Sequence, residues 1–176
     1  QNRVDLVFEI SEGPTTNVRR INFVGNRAFS DRRLRGEVVT SEARWWRFFD
    51  SNDNYDPDRL EFDREQLRKF YADRGYADFR VSSAIAELVP DQSGFYITYT
   101  VDEGQVYNFG EITVTTEIED LSSEYLEAIV ATRPGSLYVG SRIEESVDTL
   151  TFAAGAAGYA FVDVRPRVRT NRETQT

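Results

Sequence analysis

The stretch LEFDREQLRKFYADRGYADFRV, residues 60–81, decides the fold that this chain is predicted to adopt. Four of its apolar residues recur at helical spacing and mark one face of a helix: Leu60, Leu67, Phe70 and Tyr71. Asp56 and Pro57 supply an N-cap and a first-turn proline, and Gly75 supplies a left-handed stop. After Phe79 the apolar period changes to two, so the helix is predicted to lead directly into a strand.

The same phrase occurs again at residues 143–164 as IEESVDTLTFAAGAAGYAFVDV, and the match needs no gap. A shorter match joins EISEG at 9–13 to TVDEG at 100–104. A third joins NVRRINF at 17–23 to NFGEITV at 108–114. Self-similarity at a period of roughly 80–90 residues predicts tandem copies of one small α+β unit.

The order of elements in each copy is predicted to be strand–helix–helix–strand–strand. Residues 1–13 are predicted to be the last strand of an upstream copy, with a strand at 3–10. Residues 14–104, the first unit, are predicted to be complete. Residues 105–176, the second unit, are predicted to lack their final strand. At least three tandem units are therefore expected in a longer parent protein.

The individual elements follow from local signals. In the first unit, Ser30 is predicted to cap a short helix, and strands are predicted at 79–88 and 95–102 around a turn at 90–94. The expected core of this unit consists of Leu34, Val38, Leu60, Leu67, Phe70 and Ile97, with Val39 as a further candidate.

In the second unit, strands are predicted at 108–114 and 161–168, and Ser122 or Ser123 is predicted to cap the short helix. Three residues of that helix are expected to face inward: Leu126, Ile129 and Val130. Ser141 and Glu144 have the S-x-x-E spacing of a capping box for the long helix.

Composition excludes several function classes. The formal net charge of −9 argues against nucleic acid, because binding to phosphates requires clustered cations. The chain has neither histidine nor cysteine, and so lacks the commonest general base, disulfides and thiolate chemistry. No catalytic site, cofactor or metal is predicted. No run of 18 apolar residues is present, so no membrane-spanning helix is predicted. The start at Gln1 predicts that the sequence is part of a longer protein.

One acidic phrase, DSNDNYDPDRLE at 50–61, has the spacing of a calcium loop. The six candidate ligands are Asp50, Asn52, Asn54, Asp56, Asp58 and Glu61. Tyr55 stands where such a loop needs glycine, and Pro57 stands at a position that normally points into the core. A polar turn that ends in the Asp56 N-cap is the favoured interpretation.

Other conspicuous residues have a structural interpretation. Gly75–Tyr76 and Gly158–Tyr159 are interpreted as helix stops, with each tyrosine filling the bend between helix and sheet. Three carboxylates of the long helix are interpreted as a solvated face mixed with basic residues: Glu61, Asp63 and Glu65. Glu65 and Lys69 have the spacing of an attractive i,i+4 pair.

Four aromatic residues fall within a loop that the second copy lacks: Trp45, Trp46, Phe48 and Phe49. Either they pack against the helices as core, or at least one of them is exposed and contributes to an interface. The sequence leaves both alternatives open.

The order and spacing of these motifs resemble POTRA domains, the periplasmic repeats of outer-membrane assembly and transport proteins. The phrases INFVGNRAF, LRKFYADRGYADF, PGSLY and GYAFVDVRP carry the resemblance, which is greatest to the third and fourth repeats of the assembly proteins. The second copy departs from the pattern in having Ala157 where the first has Arg74. The resemblance implies a three-stranded mixed sheet covered on one face by two antiparallel helices. A right-handed crossover then places the third strand in the middle.

The same resemblance implies a functional site. The second strand of the first unit becomes an edge, and an edge strand with unpaired backbone groups can recruit another strand. The edge residues assigned to partner binding are Phe79, Arg80, Val81, Ser82, Ser83, Ala84 and Ile85. Arg80 and Glu87 guard this edge only lightly, because no proline precedes Pro90.

The function implied is a non-enzymatic binding and scaffold module in the periplasm of a Gram-negative bacterium. Its partners would be unfolded outer-membrane proteins and the lipoproteins of the assembly machinery, and its parent chain would be anchored by a C-terminal membrane barrel outside this segment. The alternatives are a structural spacer that positions such a barrel, or repeats of a related transporter of the two-partner-secretion type. Nucleic acid is not among the expected partners.

Overall fold

The computed structural model describes residues 17–42, 56–91 and 93–176. The regular elements within these ranges are β1 (Val18–Val24), α1 (Asp31–Leu34), α2 (Pro57–Ala72), β2 (Arg80–Leu88), β3 (Phe95–Asp102), α3 (Ser123–Ile129) and α4 (Gly140–Ala156). The predicted strand at 3–10 and the four loop aromatics Trp45, Trp46, Phe48 and Phe49 lie outside the described residues. In the part of the chain that is described, no helix combines the length and apolar character needed to cross a membrane.

Helix α2 begins and ends where its sequence predicts. The Asp56 carboxylate accepts a hydrogen bond from the Asp58 amide at 3.0 Å, and Pro57 opens the helix. Asp56 is therefore the N-cap favoured by the sequence, whereas Asp50, Asn52 and Asn54 lie outside the described residues. Gly75 follows the helix with a φ of 97°, which residues with a side chain rarely adopt.

The three strands of the first unit form one mixed sheet in the order β1-β3-β2. Strand β1 runs parallel to β3, and β2 runs antiparallel to it. The hairpin between β2 and β3 is closed by a bond from the Val89 amide to the Gly94 carbonyl at 2.8 Å. The middle position of β3 and the edge position of β2 confirm the predicted topology. One βααββ unit with a three-stranded mixed sheet is thus present.

The core of the first unit lies between this sheet and its helices. All six predicted core residues are buried: Leu34, Val38, Leu60, Leu67, Phe70 and Ile97. Val39 is 40% exposed, so the suggestion that it faces inward was wrong. Tyr71 stacks on Phe79 with ring centroids 3.9 Å apart, and Tyr76 meets Tyr71 edge-on at 5.4 Å. Tyr76 therefore fills the bend between α2 and the sheet, as predicted.

Asp63 is fully buried, which corrects its interpretation as part of a solvated face. Its Oδ1 accepts hydrogen bonds from the amides of Val39 at 2.6 Å and Thr40 at 3.3 Å. Its Oδ2 accepts from the Tyr99 hydroxyl at 2.8 Å. Burial together with this carboxylate raises the pKa of Tyr99, so the phenol stays protonated and keeps donating. Asp63 thus ties α2 to the central strand and to the segment after α1.

The second unit contains two helices but no strand among the residues described. Ser122 caps α3 by accepting a bond from the Tyr125 amide at 3.2 Å, and Leu126 and Val130 are buried as predicted. The strands predicted at 108–114 and 161–168 do not form; an isolated bridge between Asn108 and Leu137 is the nearest feature. Both predicted strands need a central neighbour like β3, and the described residues of this unit offer none.

Helix α4 is not capped by the predicted Ser141–Glu144 box. It begins at Gly140 after Val139, which makes no side-chain cap bond. The Ser141 amide instead donates to the Asp73 carboxylate of the first unit at 2.8 Å. A carboxylate at a helix N-terminus is favourable because it complements the free amides and the helix dipole. The cap of α4 therefore comes from the unit before it.

Further bonds join the two units around Tyr107, which is 1% exposed. Its amide donates to the Gly75 carbonyl at 2.8 Å, and its hydroxyl donates to Asp78 at 2.7 Å. The Arg172 guanidinium reaches the same Asp78 oxygen at 3.0 Å. The Tyr107 hydrogen bond, followed by Arg172, lowers the pKa of Asp78. Gly75, Asp78 and Tyr107 thus form a bonded joint at the end of α2.

Replacement of Gly75 by alanine is expected to disturb this joint. A Cβ at Gly75 would lie 2.8 Å from Val106 Cγ1 and 2.9 Å from Leu137 Cδ1, in addition to the strain of a positive φ. Gly158 is a matched control, because its φ is 95° but a Cβ there meets nothing within 4 Å. Gly158→Ala should cost about 1 kcal/mol from backbone strain alone, and Gly75→Ala about twice that, measured by urea unfolding. Equal losses for the two variants would contradict the tight joint.

Candidate strand-addition edge

Strand β2 has β3 on one side, and no strand of the described residues lies on its other side. Its pairing with β3 changes register between Val81 and Ser83, so Ser82 is an extra residue in a β-bulge. At the same place, Arg64 of α2 donates to the Val81 carbonyl at 3.3 Å. The beginning of β2 is therefore interrupted by the bulge and covered by an arginine.

The remaining part of β2, residues 83–88, is the candidate edge. It pairs with β3 without interruption, from Ser83 opposite Thr100 to Leu88 opposite Phe95. Among the described residues, no side chain forms a hydrogen bond with the backbone of residues 83–88. Six extended residues span about 20 Å and can pair with a short partner strand.

The two faces of the candidate edge differ. Ala84 and Ala86 pack against the core on the face of β2 that is turned towards the helices. Because their side chains are small, they leave space on that face for the side chains of an added strand. Ile85 lies on the opposite face beside Thr98 and is 53% exposed. Leu88, at the end of the strand, is 51% exposed. A strand added here would find apolar contact at Ile85 and Leu88 besides the backbone groups.

The structure divides the predicted site residues into two groups. Phe79 precedes β2, and its ring is buried against Tyr71, so only its backbone is near the edge. Arg80 donates to Asp102 of β3 at 2.8 Å and is largely exposed. Arg80 is the first residue of β2, and the other predicted residues follow it on the same strand: Val81, Ser82, Ser83, Ala84 and Ile85. The sequence analysis predicted neither the bulge at Ser82 nor the hydrogen bond from Arg64 to the Val81 carbonyl.

Helix α2 presents charged residues on its solvent side. Glu61 pairs with Arg64 at 3.0 Å, and Glu65 pairs with Arg68 at 2.7 Å. The hydrogen bond from Arg68 lowers the pKa of Glu65. Glu65 thus pairs directly with Arg68 at i,i+3, and Lys69, at the predicted i,i+4 spacing, adds a smaller attraction that also lowers the Glu65 pKa. Exposed pairs of this kind contribute little stability, about 0–1 kcal/mol each.

The described residues offer little to a metal ion. They contain no group of three or more histidine, cysteine, aspartate or glutamate side chains placed to hold one. The buried carboxylates that they do contain, Asp63 and Glu103, are engaged by protein donors. Glu103 accepts from the Ala28 amide at 3.0 Å and from the Tyr71 hydroxyl at 2.8 Å. These two side chains hold the fold together.

A three-stranded mixed sheet with an open edge on β2, together with two helices, defines one module of βααββ type, and the sequence of this module recurs along the chain. The POTRA family model, described as a surface antigen variable number repeat, matches residues 16–104 and 107–176. The chain belongs to the POTRA family.

Curated relatives extend over nearly the whole chain. It is 27% identical over 176 residues to the outer membrane protein assembly factor BamA of Neisseria meningitidis, with 100% of the chain and 22% of the relative covered. It is 32% identical over 161 residues to a putative outer membrane protein assembly factor of Treponema pallidum, with 89% of the chain and 18% of the relative covered. The chain thus spans about a fifth of the length of these relatives.

Solved structures show the same fold. Repeats POTRA3-5 of Haemophilus influenzae BamA match with a TM-score of 0.70 and 18% identity, covering 92% of this chain and 63% of that one. POTRA1-2 of the periplasmic domain of Omp85 from Anabaena match with a TM-score of 0.53 and 15% identity, covering 92% of this chain and 91% of that one. Which repeats of an assembly factor this chain corresponds to stays a prediction.

Proposed function

We propose that this chain is a non-enzymatic binding and scaffold module of the outer-membrane protein assembly machinery, located in the periplasm of a Gram-negative bacterium. It offers the β2 edge to extended segments of unfolded outer-membrane proteins or to partner lipoproteins such as BamB. The uninterrupted edge at 83–88 is the observation that carries the proposal. In this proposal residues 14–104 are taken as the complete unit, and residues 105–176 as a second unit that lacks its final strand.

The chemistry of the edge supports this type of partner. Main-chain donors and acceptors bind any extended peptide, and side-chain contacts on alternate residues then select among sequences. Strands of outer-membrane proteins alternate apolar and polar residues, so one face of such a strand is apolar. The apolar face of an added strand would lie next to Ile85, which is 53% exposed. If the strand were added with its faces reversed, that apolar face would lie next to the small side chains of Ala84 and Ala86 on the helix side. This match makes an unfolded membrane-protein strand a suitable partner.

A non-enzymatic role agrees with the absence of histidine and cysteine and with the names of the relatives as assembly factors. The second candidate function is a structural spacer that sets the distance of a membrane domain. The joint favours this alternative, because Asp73 caps α4 and Tyr107 bonds both Gly75 and Asp78. Repeats of a related transporter, such as TamA or a two-partner-secretion protein, would use the same edge.

Proline substitutions on the candidate edge separate binding from spacing. The probe is a strand peptide with the sequence of β3, KKFYITYTVDKK, acetylated and amidated. Ser83 and Ala84 are adjacent, so one of their amides points towards β3 and the other outward. One of the variants Ser83→Pro and Ala84→Pro should therefore keep nearly the parental melting temperature, because it loses an outward amide only. That variant should bind the strand peptide at least tenfold more weakly in fluorescence anisotropy.

Charge reversal at Glu87 is the matched control on the same strand. Its side chain points away from the core beside Tyr96, so Glu87→Arg leaves the outward backbone groups in place. This variant should bind the strand peptide within about threefold of the parent, since an exposed charge changes binding only modestly. If the stable proline variant also binds like the parent, the edge is not the binding site and the spacer function is favoured.

A further inference from the structure

Within the described ranges 17–42, 56–91 and 93–176, β1 forms the second edge of the first unit's sheet, and two side chains bond to its backbone. The Ile21 amide donates to Glu42 Oε1 at 3.0 Å, and Arg35 Nη1 donates to the Ile21 carbonyl at 3.2 Å. Arg35 and Glu42 also pair with each other at 3.3 Å. Strand β3 occupies the inner side of β1, so these contacts are made on the outer side. Glu42 thus accepts from the Ile21 amide and Arg35 donates to the Ile21 carbonyl, which are the two hydrogen bonds that a neighbouring strand would otherwise make.

Two further features shorten the usable part of this edge. The register with β3 shifts between Val18 and Arg20, so Arg19 is an extra residue in a bulge. The strand ends before Gly25, where a Cβ would lie 2.2 Å from the Val101 carbonyl oxygen. Beyond Ile21, only residues 22–24 remain, whereas β2 offers the unbroken run at 83–88. The two edges of one sheet are therefore unequal.

The two side chains that bond to Ile21 are partly shielded from water, which strengthens their hydrogen bonds. The side chains of Arg35 and Glu42 are 35% and 28% exposed, so each is more than half shielded from water. Glu42 serves the Ile21 amide and the Arg35 guanidinium with the same oxygen, Oε1. Hydrogen bonds to charged groups are stronger than those between neutral groups. A partner strand at β1 would have to displace both.

We propose that Arg35 and Glu42 form a clasp that closes the β1 edge, so that the sheet accepts an added strand at β2 only. With both edges open, β1 of one copy could pair with β2 of the next, and such head-to-tail contacts propagate into open assemblies. The clasp restricts strand addition to one site and prevents this propagation. The one-site part of the inference rests on the proposed function, whereas the assembly part does not.

A double charge swap, Arg35→Glu with Glu42→Arg, tests the clasp in the full 176-residue chain. The swap keeps the opposite charges together, but residue 42 can no longer accept from the Ile21 amide and residue 35 can no longer donate to its carbonyl. The amide of Ile21 should then exchange with deuterium at least tenfold faster. The variant should also form concentration-dependent oligomers in light scattering or bind a second strand peptide in calorimetry.

Two control variants accompany the swap. Glu42→Gln retains an acceptor oxygen but loses the charge that pairs with Arg35, so its Ile21 amide should exchange faster than in the parent but slower than in the swapped variant. The swap Glu65→Arg with Arg68→Glu inverts an exposed pair on α2, 2.7 Å apart, that touches no strand, and it should leave Ile21 exchange unchanged. If the Arg35–Glu42 swap does not fold, Glu42→Ala, which removes the acceptor alone, gives the same readouts.

Either of two results would overturn the clasp. One is unchanged Ile21 exchange in the swapped variant. The other is faster exchange with a protein that stays monomeric and binds one peptide at most. If the parent chain binds no strand peptide at all, the proposed function fails, and the oligomeric state of the variant still decides the clasp. Oligomers that form in the swapped variant but not in the parent support the clasp.

Discussion

Leu67→Ala is expected to lower the free energy of unfolding by about 2–5 kcal/mol, because it deletes buried methyl groups and leaves a cavity. Leu67 is 0% exposed, on the face of α2 that covers the sheet. Phe70 is 4% exposed on the same face, and Phe70→Ala should have an effect of similar size. Urea unfolding followed by circular dichroism measures both losses.

The control for these substitutions lies on the same helix. Phe62 is 50% exposed, so Phe62→Ala removes little buried surface and should cost well under 1 kcal/mol, about the usual effect of a surface change. Losses below about half a kcal/mol at both Leu67 and Phe70 would mean that a different face of α2 meets the sheet.

Asp63→Ala is expected to destabilise the first unit by about 3–5 kcal/mol, since a buried donor without a partner costs about 1–3 kcal/mol. The substitution removes the acceptor of the Val39 and Thr40 amides and of the Tyr99 hydroxyl at once. The same urea unfolding experiment measures the loss. Glu61→Ala is the control, because it removes an exposed carboxylate from the solvent side of α2, and it should change the free energy of unfolding by about half a kcal/mol or less.

Two conservative variants separate the contributions at Asp63. Asp63→Asn keeps a carbonyl oxygen for the two amides and should lose less than Asp63→Ala. Tyr99→Phe removes one of the three donors and should cost about 1–2 kcal/mol. If Asp63→Ala were as mild as Glu61→Ala, the buried carboxylate would not be holding α2 to β3.

Local signals predicted most of the first unit because the physics that they report is local. The caps of α2 depend on Asp56, Pro57 and Gly75, which act on their immediate neighbours. The hairpin of β2 and β3 depends on a turn of a few residues between them. The edge position of β2 then followed from the handedness of the crossover, implied by the resemblance to POTRA domains.

Asp63 escaped prediction because its partners are distant in the sequence. Asp63 stands at the spacing of the apolar face, three residues after Leu60 and four before Leu67, but its residue type led to its assignment to the solvated face. Only the folded chain brings Val39 and Tyr99 to it. The cap of α4 escaped for the same reason, since Asp73 and Ser141 are brought together by the joint between the units. The clasp at Ile21 likewise needs Arg35 and Glu42 to meet a strand earlier in the chain.

The missing strands of the second unit have a different cause. Residues 110–118 alternate between exposed and half-buried positions, as a strand would, but they have no ladder. Alternation reports which side of a chain faces apolar neighbours, whereas a strand also requires a partner for its backbone groups. Sequence similarity to β1 at 108–114 was therefore insufficient to predict a strand in this unit.

The central claim is that residues 83–88 receive an added strand. Its most direct test is a nuclear magnetic resonance titration of the isotopically labelled chain with the strand peptide, following each backbone amide. Chemical shift changes should be largest at 83–88 and at their β3 partners, and the outward amides of 83–88 should gain protection from exchange. Saturable binding that leaves these amides unchanged, or shifts confined to β1 or the helices, would contradict the claim.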